Sequence, residues 1–420
     1  MTLRIDTPAA YSLLFAELGR IEAAYSTYRV DLGEVSLDDM LVKREKTPEE
    51  QRRDEEWKAS EEYRKRLIVT EREDFIIRFR ELTKQEGPVI PPGASFAPRP
   101  GYPYLSSIRE PVRLLVKHAE LAAQAGDYDT AAEDILAGLR YSDALALDDS
   151  LTLQLTRIAI TGMVVEGVTT SLGSGALPSD AMFSLLMTQA ANSASLNRFS
   201  AVVTTVATHY HELFDISRAG NGSQLRDLYV ASDWGQRIGK GLRGEAYHPE
   251  RIEVKDFTRE ALTKFYTSPM GRPWVDRDER ILTEAMTKAS ALVDLPYSDA
   301  QVSLQQLEAS MPRLLCPLFS PVTPVGRALT ARANGVAQLD LMRLGLSLER
   351  YHAKEGTYPG TLDAVASLLE AEVPKDPFMG ESYHYEPRGD SFVLYSVGQD
   401  LEDDGGRHEW KYGDVVWRGS

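Results

Sequence analysis

The chain has 420 residues, of which 43% are hydrophobic and 26% are charged, so it can bury a sizeable core and divide into roughly two or three domains. Its formal net charge of −16 argues against nucleic acid as a general partner, because binding phosphate backbones requires clustered Lys and Arg. The single cysteine, Cys316, excludes a disulfide framework and a Cys-based metal site.

Neither a membrane span nor a signal peptide is predicted. The sequence contains no run of about 18 or more apolar residues, which a spanning helix requires. Residues 1–8 lack the basic and apolar regions with which a signal peptide starts. We therefore expect a cytoplasmic protein, or one whose leader or anchor lies outside this sequence.

Residues 1–105 are predicted to form an N-terminal helical segment that ends in a proline-rich connector. The stretch Arg44–Gln85 mixes acidic and basic side chains and opens with a capping box at Thr47–Glu50, which predicts one long helix. Its buried stripe comprises Leu67, Ile68, Phe75, Ile76 and Phe79. The stripe faces either its own domain or a coiled-coil partner. The prolines of Gly87–Pro103 favour an extended connector.

Residues 106–325 are predicted to form a helical body. Apolar residues recur at three- and four-residue spacing over Ile108–Ala191, and Gly126 interrupts the pattern. The stretch Ala122–Ala132 resembles the helix-turn-helix junction of a tetratricopeptide repeat, but we expect an irregular array because no second unit is visible. Further helices are predicted at Ser193–Ser217 and Trp274–Leu292.

One histidine cluster in the body is a candidate polar centre. His209 and Glu212 share a face of the predicted helix, whereas His211 points elsewhere. A two-histidine zinc site needs ligands four residues apart, which favours partly buried helix histidines here. The alternative is a hydrolase with its site in a groove around these three side chains. His118 and His352 are predicted to be structural.

Residues 326–420 change character and predict a small α+β domain. Gly326–His352 is predicted to be a long helix that Gly356 ends, and a short helix with Thr361 as its N-cap follows over Leu362–Leu369. Strands are expected at Tyr383–Glu386, Ser391–Ser396 and Asp414–Trp417, with a hairpin turn at Pro387–Asp390. The predicted fold class is mostly α: an irregular helical array followed by a long helix packed on a three- to four-stranded antiparallel sheet.

The acidic loop Asp400–Gly406 indicates a chemical partner most directly. Carboxylates at positions 1, 3 and 5 with Gly at position 6 match the start of a calcium loop, in which alternate oxygens converge. The candidate side-chain ligands are Asp400, Glu402, Asp403 and Asp404. Lys411 stands at position 12, where an EF-hand needs Glu, so this loop is not an EF-hand. The alternative is a solvated acidic turn, but a cation would relieve the mutual repulsion of the carboxylates.

The order of motifs in the last hundred residues is similar to that of a known family. The motifs are Glu355-Gly356-Thr357-Tyr358-Pro359, Val373-Pro374-Lys375-Asp376-Pro377 and Tyr395-Ser396-Val397-Gly398. Together they resemble the globular domain of the major pseudopilin of type II secretion systems, over roughly Thr330–Val416. The resemblance implies a Ca²⁺ site formed by the side chains of Asp400 and Asp414. It also makes Val397 and Leu401 plausible backbone carbonyl donors.

The part of the chain that precedes this domain departs from the family. A pseudopilin begins with a processed apolar helix that polymerises, and here about 325 residues of other structure precede the helix, so we do not expect assembly by that route. The whole chain resembles uncharacterised proteins of planctomycete-type bacteria, which are usually tethered by an N-terminal membrane helix. This resemblance implies a periplasmic or other extracytoplasmic protein, anchored by a segment absent from this chain, with a cytoplasmic location as the alternative.

The sequence therefore favours a non-enzymatic scaffold or interaction protein with a Ca²⁺-stabilised C-terminal domain and other proteins as partners. Such a protein could be associated with secretion or with the envelope. The hydrolase stays open as an alternative, as does a protein-binding helical-repeat adaptor suggested by Ala122–Ala132. The oligomeric state is not determined by the sequence.

Overall fold

A computed structural model describes residues 72–87, 104–147, 151–173, 175–195, 199–223, 264–310, 322–369, 372–407 and 413–417, with isolated positions between 9 and 89. Several predicted features lie outside the described residues. They are the capping box at Thr47–Glu50, Leu67, Ile68, most of the proline-rich connector, Cys316 and Lys411.

The described helices are joined into an irregular array. In chain order they are α1 (Glu73–Thr83), α2 (Tyr104–Gln124), α3 (Tyr128–Leu145), α4 (Leu151–Ser171), α5 (Asp180–Ser195), α6 (Phe199–Arg218), α7 (Arg272–Leu292), α8 (Tyr297–Ser310) and α9 (Val322–Glu355). Helices α2, α3 and α4 pack on one another, α5 packs on α3, and α6 packs on α7. No helix in the described part of the chain is long and apolar enough to span a membrane.

The predicted break between α2 and α3 is confirmed at Gly126. Its φ of 80° lies in the left-handed region, which glycine adopts without steric cost. The N–H of Asp127 donates to the carbonyl of Ala122 at 2.9 Å, which closes the end of α2. The Asp127 side chain then accepts from the N–H of Thr130 at 3.0 Å and caps the start of α3.

Glycines let the central helices approach closely. A Cβ at Gly138 of α3 would lie 2.7 Å from Cγ2 of Val164 on α4, and one at Gly167 of α4 would lie 2.9 Å from Val116 on α2. Both distances are far below normal carbon contacts, so these positions accept no side chain without movement of their neighbours. The three helices therefore form a tight centre for the body.

The prediction of one long helix over Arg44–Gln85 is wrong near its end. Helix α1 begins at Glu73, after Arg72, whose φ of −117° and ψ of 15° are not helical. Acidic side chains in the first turn favour a new helix start, because they face the positive end of the helix dipole. The predicted stripe is buried where it is described: Phe75, Ile76 and Phe79 are each at most 1% exposed.

Helix α9 packs both on helices of the array and on the C-terminal sheet. Its 34 residues contact α4, α5 and α8 of the body, and also a short 3-10 helix, Leu362–Leu368, and two strands of the sheet. It starts at Val322, four residues before the predicted start, and Gly356 ends it with a φ of 77°. Thr361 occupies the N-cap position of the short helix, but its side chain makes no capping hydrogen bond within the described structure.

The C-terminal sheet has three antiparallel strands among the described residues, in the order β1, β2, β3. They are β1 (His384–Pro387), β2 (Phe392–Ser396) and β3 (Val415–Val416). The predicted hairpin turn joins β1 to β2, and the N–H of Arg388 donates to the Ser391 carbonyl at 2.7 Å. Strand β1 has the predicted length but lies one residue later in the chain, while β2 and β3 are shorter than predicted. The predicted class, mostly α with a small α+β tail, is confirmed.

Candidate functional site

The acidic loop lies between β2 and β3 in the chain. The chain turns away from β2 at Gly398, just before this loop, where φ is 73° and a Cβ would lie 2.7 Å from the Gly413 carbonyl oxygen. Only glycine fits there, because both the backbone angle and the close approach of the returning chain exclude a side chain. Leu401 also has a left-handed φ of 64°, which is rare for a residue other than glycine. The loop backbone is therefore held in a specific shape.

Asp414 accepts hydrogen bonds from the backbone of the acidic loop. Its carboxylate is buried and accepts hydrogen bonds from the N–H groups of Gly406 at 2.7 Å and Asp404 at 3.5 Å. Its own N–H donates to the carbonyl of Arg407 at 3.0 Å. Burial raises the pKa of Asp414, these hydrogen bonds lower it in part, and the charges of Asp403 and Asp404 raise it further. A buried carboxylate thus lies close to other carboxylates.

Asp403 contacts side chains of strands β1 and β2. Its Oδ1 accepts from the Tyr395 hydroxyl at 2.8 Å and from the Gly405 N–H at 2.9 Å, and its Oδ2 lies 3.6 Å from His384 Nδ1. The hydrogen bonds from Gly405 and Tyr395 hold the pKa of Asp403 below its ordinary value. His384 in turn stacks on the Tyr395 ring at 4.8 Å. The spacing of the sequence did not distinguish this carboxylate from its neighbours.

The remaining predicted ligands lie along the outer part of the loop. Asp400 is half-buried, and its Oδ1 accepts from the N–H of Glu402 at 3.4 Å. Glu402 and Asp404 are exposed, while Leu401 is half-buried. Val397 is buried at the start of the loop. The predicted ligands therefore lie in or next to the acidic loop, and they differ in how far they are exposed to solvent.

Asp376 is a site residue that the sequence analysis did not single out. It is buried, and its two carboxylate oxygens accept from the N–H of Phe378 at 2.9 Å and from that of Val397 at 3.2 Å. It thereby ties Val397, three residues before the acidic loop, to the segment that precedes the sheet. The sequence feature that points to Asp376 is its position between Pro374 and Pro377. Prolines lack a backbone N–H, and an Asp side chain in such a turn commonly accepts hydrogen bonds from nearby backbone N–H groups.

The atoms of the loop that could coordinate a metal are of the type that a hard cation prefers. They are carboxylate and carbonyl oxygens, which are the ligands that Ca²⁺ prefers. In the described part of the chain, however, no group of three or more Asp, Glu, His or Cys side chains is arranged to hold a metal ion. The Asp403 and Asp414 oxygens instead accept hydrogen bonds from the protein. Calcium binding through this loop stays a prediction.

The described side chains of the histidine cluster do not share one environment: His211 contacts a neighbouring helix, whereas Glu212 is exposed. His211 Nδ1 lies 2.8 Å from Oε1 of Glu279 on the neighbouring helix α7, and Arg218 pairs with the same carboxylate. Glu212 is exposed. The backbone of His209 lies in α6, but its side chain is outside the described residues. The described contacts of His211 join α6 to α7.

The two histidines predicted to be structural lie in packed surroundings. His118 Nδ1 lies 2.6 Å from Oδ2 of the fully buried Asp134 and 3.0 Å from Nη2 of Arg80, which joins α1, α2 and α3. The ring of His352 stacks on that of Tyr358 with 4.3 Å between centroids. The first contact joins three helices, and the second holds the segment after α9 against the end of that helix.

In comparisons with known proteins, no family model, no curated protein and no solved structure matches this chain. The resemblance of residues 330–416 to a pseudopilin therefore stays a prediction from their sequence motifs.

Proposed function

We propose that this protein is a non-enzymatic scaffold in which a helical body carries a small C-terminal interaction domain. The observation that carries this proposal is helix α9, which packs against the body and against the C-terminal sheet along one continuous element. A helix shared in this way fixes the position of the sheet relative to the body, because bending it would break contacts on both sides. Such rigidity suits the presentation of a surface to another protein.

A second contact supports a fixed arrangement. Arg350 of α9 donates to the carbonyl of Pro178 at 2.7 Å, pairs with Asp180 at the start of α5, and lies 4.8 Å from the Phe183 ring centroid. A hydrogen bond, an ion pair and a cation–π contact thus converge on one guanidinium group. They join the end of α9 to the body close to the sheet.

We further propose that Ca²⁺ stabilises the C-terminal domain through its acidic loop. The ligands would be the side chains of Asp400 and Asp414 with the backbone carbonyls of Val397 and Leu401, and Glu402, Asp403 and Asp404 are further candidates. Support comes from Asp414, a buried carboxylate whose pKa is raised by burial and, to a smaller extent, by the charges of neighbouring carboxylates. A bound cation would offset this repulsion. It would stabilise the fold by mass action, most effectively where Ca²⁺ is abundant, as outside the cytoplasm.

The second candidate function is a hydrolase around His209, His211 and Glu212. The observation in its favour is the short contact of His211 with Glu279, since a carboxylate can orient a histidine for proton transfer. The scaffold is better supported, because Glu279 also pairs with Arg218 and these contacts join two helices.

Two measurements separate the functions. Affinity capture in cells of the source organism should recover a protein in fixed ratio with the wild type, and less of it with Asp414→Asn than with the exposed control Asp390→Asn. Hydrolysis of ester, amide or phosphate test substrates that His211→Ala abolishes, without loss of folding, would instead establish the enzyme. If no protein is enriched with the wild type over a bait-free control, the scaffold proposal is wrong.

A further inference from the structure

Asp143 lies where three helices of the body meet. It stands on α3, and two side chains of α5 donate to its Oδ2: Gln189 Nε2 at 2.6 Å and Ser193 Oγ at 2.8 Å. Arg157 of α4 is also close, with its Nη2 3.9 Å from Asp143 Oδ1. That nitrogen donates to the Ser193 carbonyl at 2.7 Å. The guanidinium group thus lies near the carboxylate without a short hydrogen bond between them.

The two oxygens of Asp143 have different surroundings. Oδ2 accepts both hydrogen bonds from α5, whereas Oδ1 is buried and accepts none from any described residue. A buried oxygen that carries negative charge and no hydrogen bond is unfavourable, and a proton on that oxygen removes the charge. Of the described charged groups on the helices around it, Arg157 faces this carboxyl group, while α5 presents the uncharged Gln189 and Ser193.

We propose that Asp143 is a proton-binding site built into the body, at which uptake of a proton on Oδ1 stabilises the junction of α3, α4 and α5. The proton comes from solvent, and the neutral carboxyl group keeps Oδ2 as the acceptor for Gln189 and Ser193. The body is then held together more firmly in a mildly acidic medium than in a neutral one. This inference is independent of the proposed scaffold function and of the acidic loop.

The direction of the pKa shift of Asp143 agrees with this geometry. Burial raises the pKa of Asp143 to about 6, and the hydrogen bond from Ser193, the charge of Arg157 and the hydrogen bond from Gln189 oppose the rise. An unfolded Asp titrates near about 3.9. The folded state therefore holds the proton over a pH range in which the unfolded state has lost it. The stabilisation appears as the pH falls through about 6 and is complete below about 4.

The direct test is a carboxyl titration by NMR on the full chain labelled with ¹³C-aspartate, in which Asp143→Asn identifies the signal by its loss. The expected midpoint is about 6. Ser193→Ala removes a hydrogen bond that favours the ionised form, so it should move the midpoint upward. A wild-type midpoint near the ordinary value of about 4, or a midpoint that Ser193→Ala leaves unchanged, would overturn the proposal.

Thermal unfolding gives a second readout. The change in Tm between about pH 7 and about pH 5 should be smaller in Asp143→Asn than in the wild type, and unchanged in Asp363→Asn, a matched substitution at an exposed site. An equal change in all three proteins would contradict the proposal. If Asp143→Asn does not fold, Ser193→Ala provides the test through its shifted titration.

Discussion

Trp417 packs directly over the backbone of Gly345, so that a Cβ added to Gly345 would lie 2.5 Å from the indole Nε1. The contact places the residue after β3 against the middle of α9. The chain is held in place on both sides of the acidic loop, because the N–H of Val397 before it donates to Asp376 and the buried Trp417 lies three residues after Asp414. The position of the loop depends on a glycine some fifty residues before it in the chain.

Gly345→Ala should destabilise the C-terminal domain. The added methyl group would overlap the Trp417 ring, and overpacking of this kind costs about 1–3 kcal/mol, although the better helix propensity of Ala offsets part of it. Denaturant unfolding followed by tryptophan fluorescence measures the loss. The control is Gly326→Ala on the same helix, where a Cβ meets nothing within 4 Å and stability should stay equal or rise. Equal effects of the two substitutions would contradict the packing described.

Arg350→Ala should weaken the junction between the body and the C-terminal domain by about 1–3 kcal/mol, because it removes the hydrogen bond to Pro178 and the contact with Phe183. Asp180→Ala should cost less than about 1 kcal/mol, since that side chain is 97% exposed and exposed ion pairs contribute little. Chemical denaturation of both variants gives the comparison. A larger loss in Asp180→Ala would show that the ion pair, and not the buried contacts, holds the junction.

The stability of the C-terminal domain should depend on pH through the buried carboxyl group of Asp340. It is 4% exposed, accepts from Tyr383 at 3.1 Å and from Arg343 at 3.4 Å, and burial raises its pKa to about 6. A raised carboxyl pKa means that stability is gained as the pH falls through about 6. Asp340→Asn keeps an acceptor for Tyr383 and should reduce the gain in Tm between about pH 7 and about pH 5. Asp363→Asn, at an exposed site, should leave that gain unchanged.

Much of the architecture could be predicted from local patterns. Helix α9, its end at Gly356 and the hairpin turn at Arg388 follow from apolar spacing and from glycine, which determine structure within a few residues. The break at Arg72 could not be predicted in the same way, because charged side chains are compatible with a continuous helix and tertiary packing decides where α1 starts.

The acidic loop could be located from the sequence, but the burial of each of its carboxylates could not. Alternating carboxylates identify the acidic loop, and the resemblance adds Asp414. Which carboxylate is buried depends on contacts across the sheet: Tyr395 engages Asp403, while the N–H of Gly406 turns toward Asp414. The half-buried Asp143 and the buried Asp376 give no periodic signal, because their partners Ser193 and Val397 are distant in sequence.

The most direct test of the calcium-stabilised domain is a calorimetric titration of the full chain with CaCl₂ after treatment with a chelator. We expect one Ca²⁺ bound per chain and a rise in Tm that chelator reverses. Both should be lost in Asp400→Ala and Asp414→Asn and retained in Asp390→Ala, whose carboxylate lies in the exposed hairpin turn. The absence of binding heat and of any Tm shift in the wild type, or an equal response in all four proteins, would contradict it.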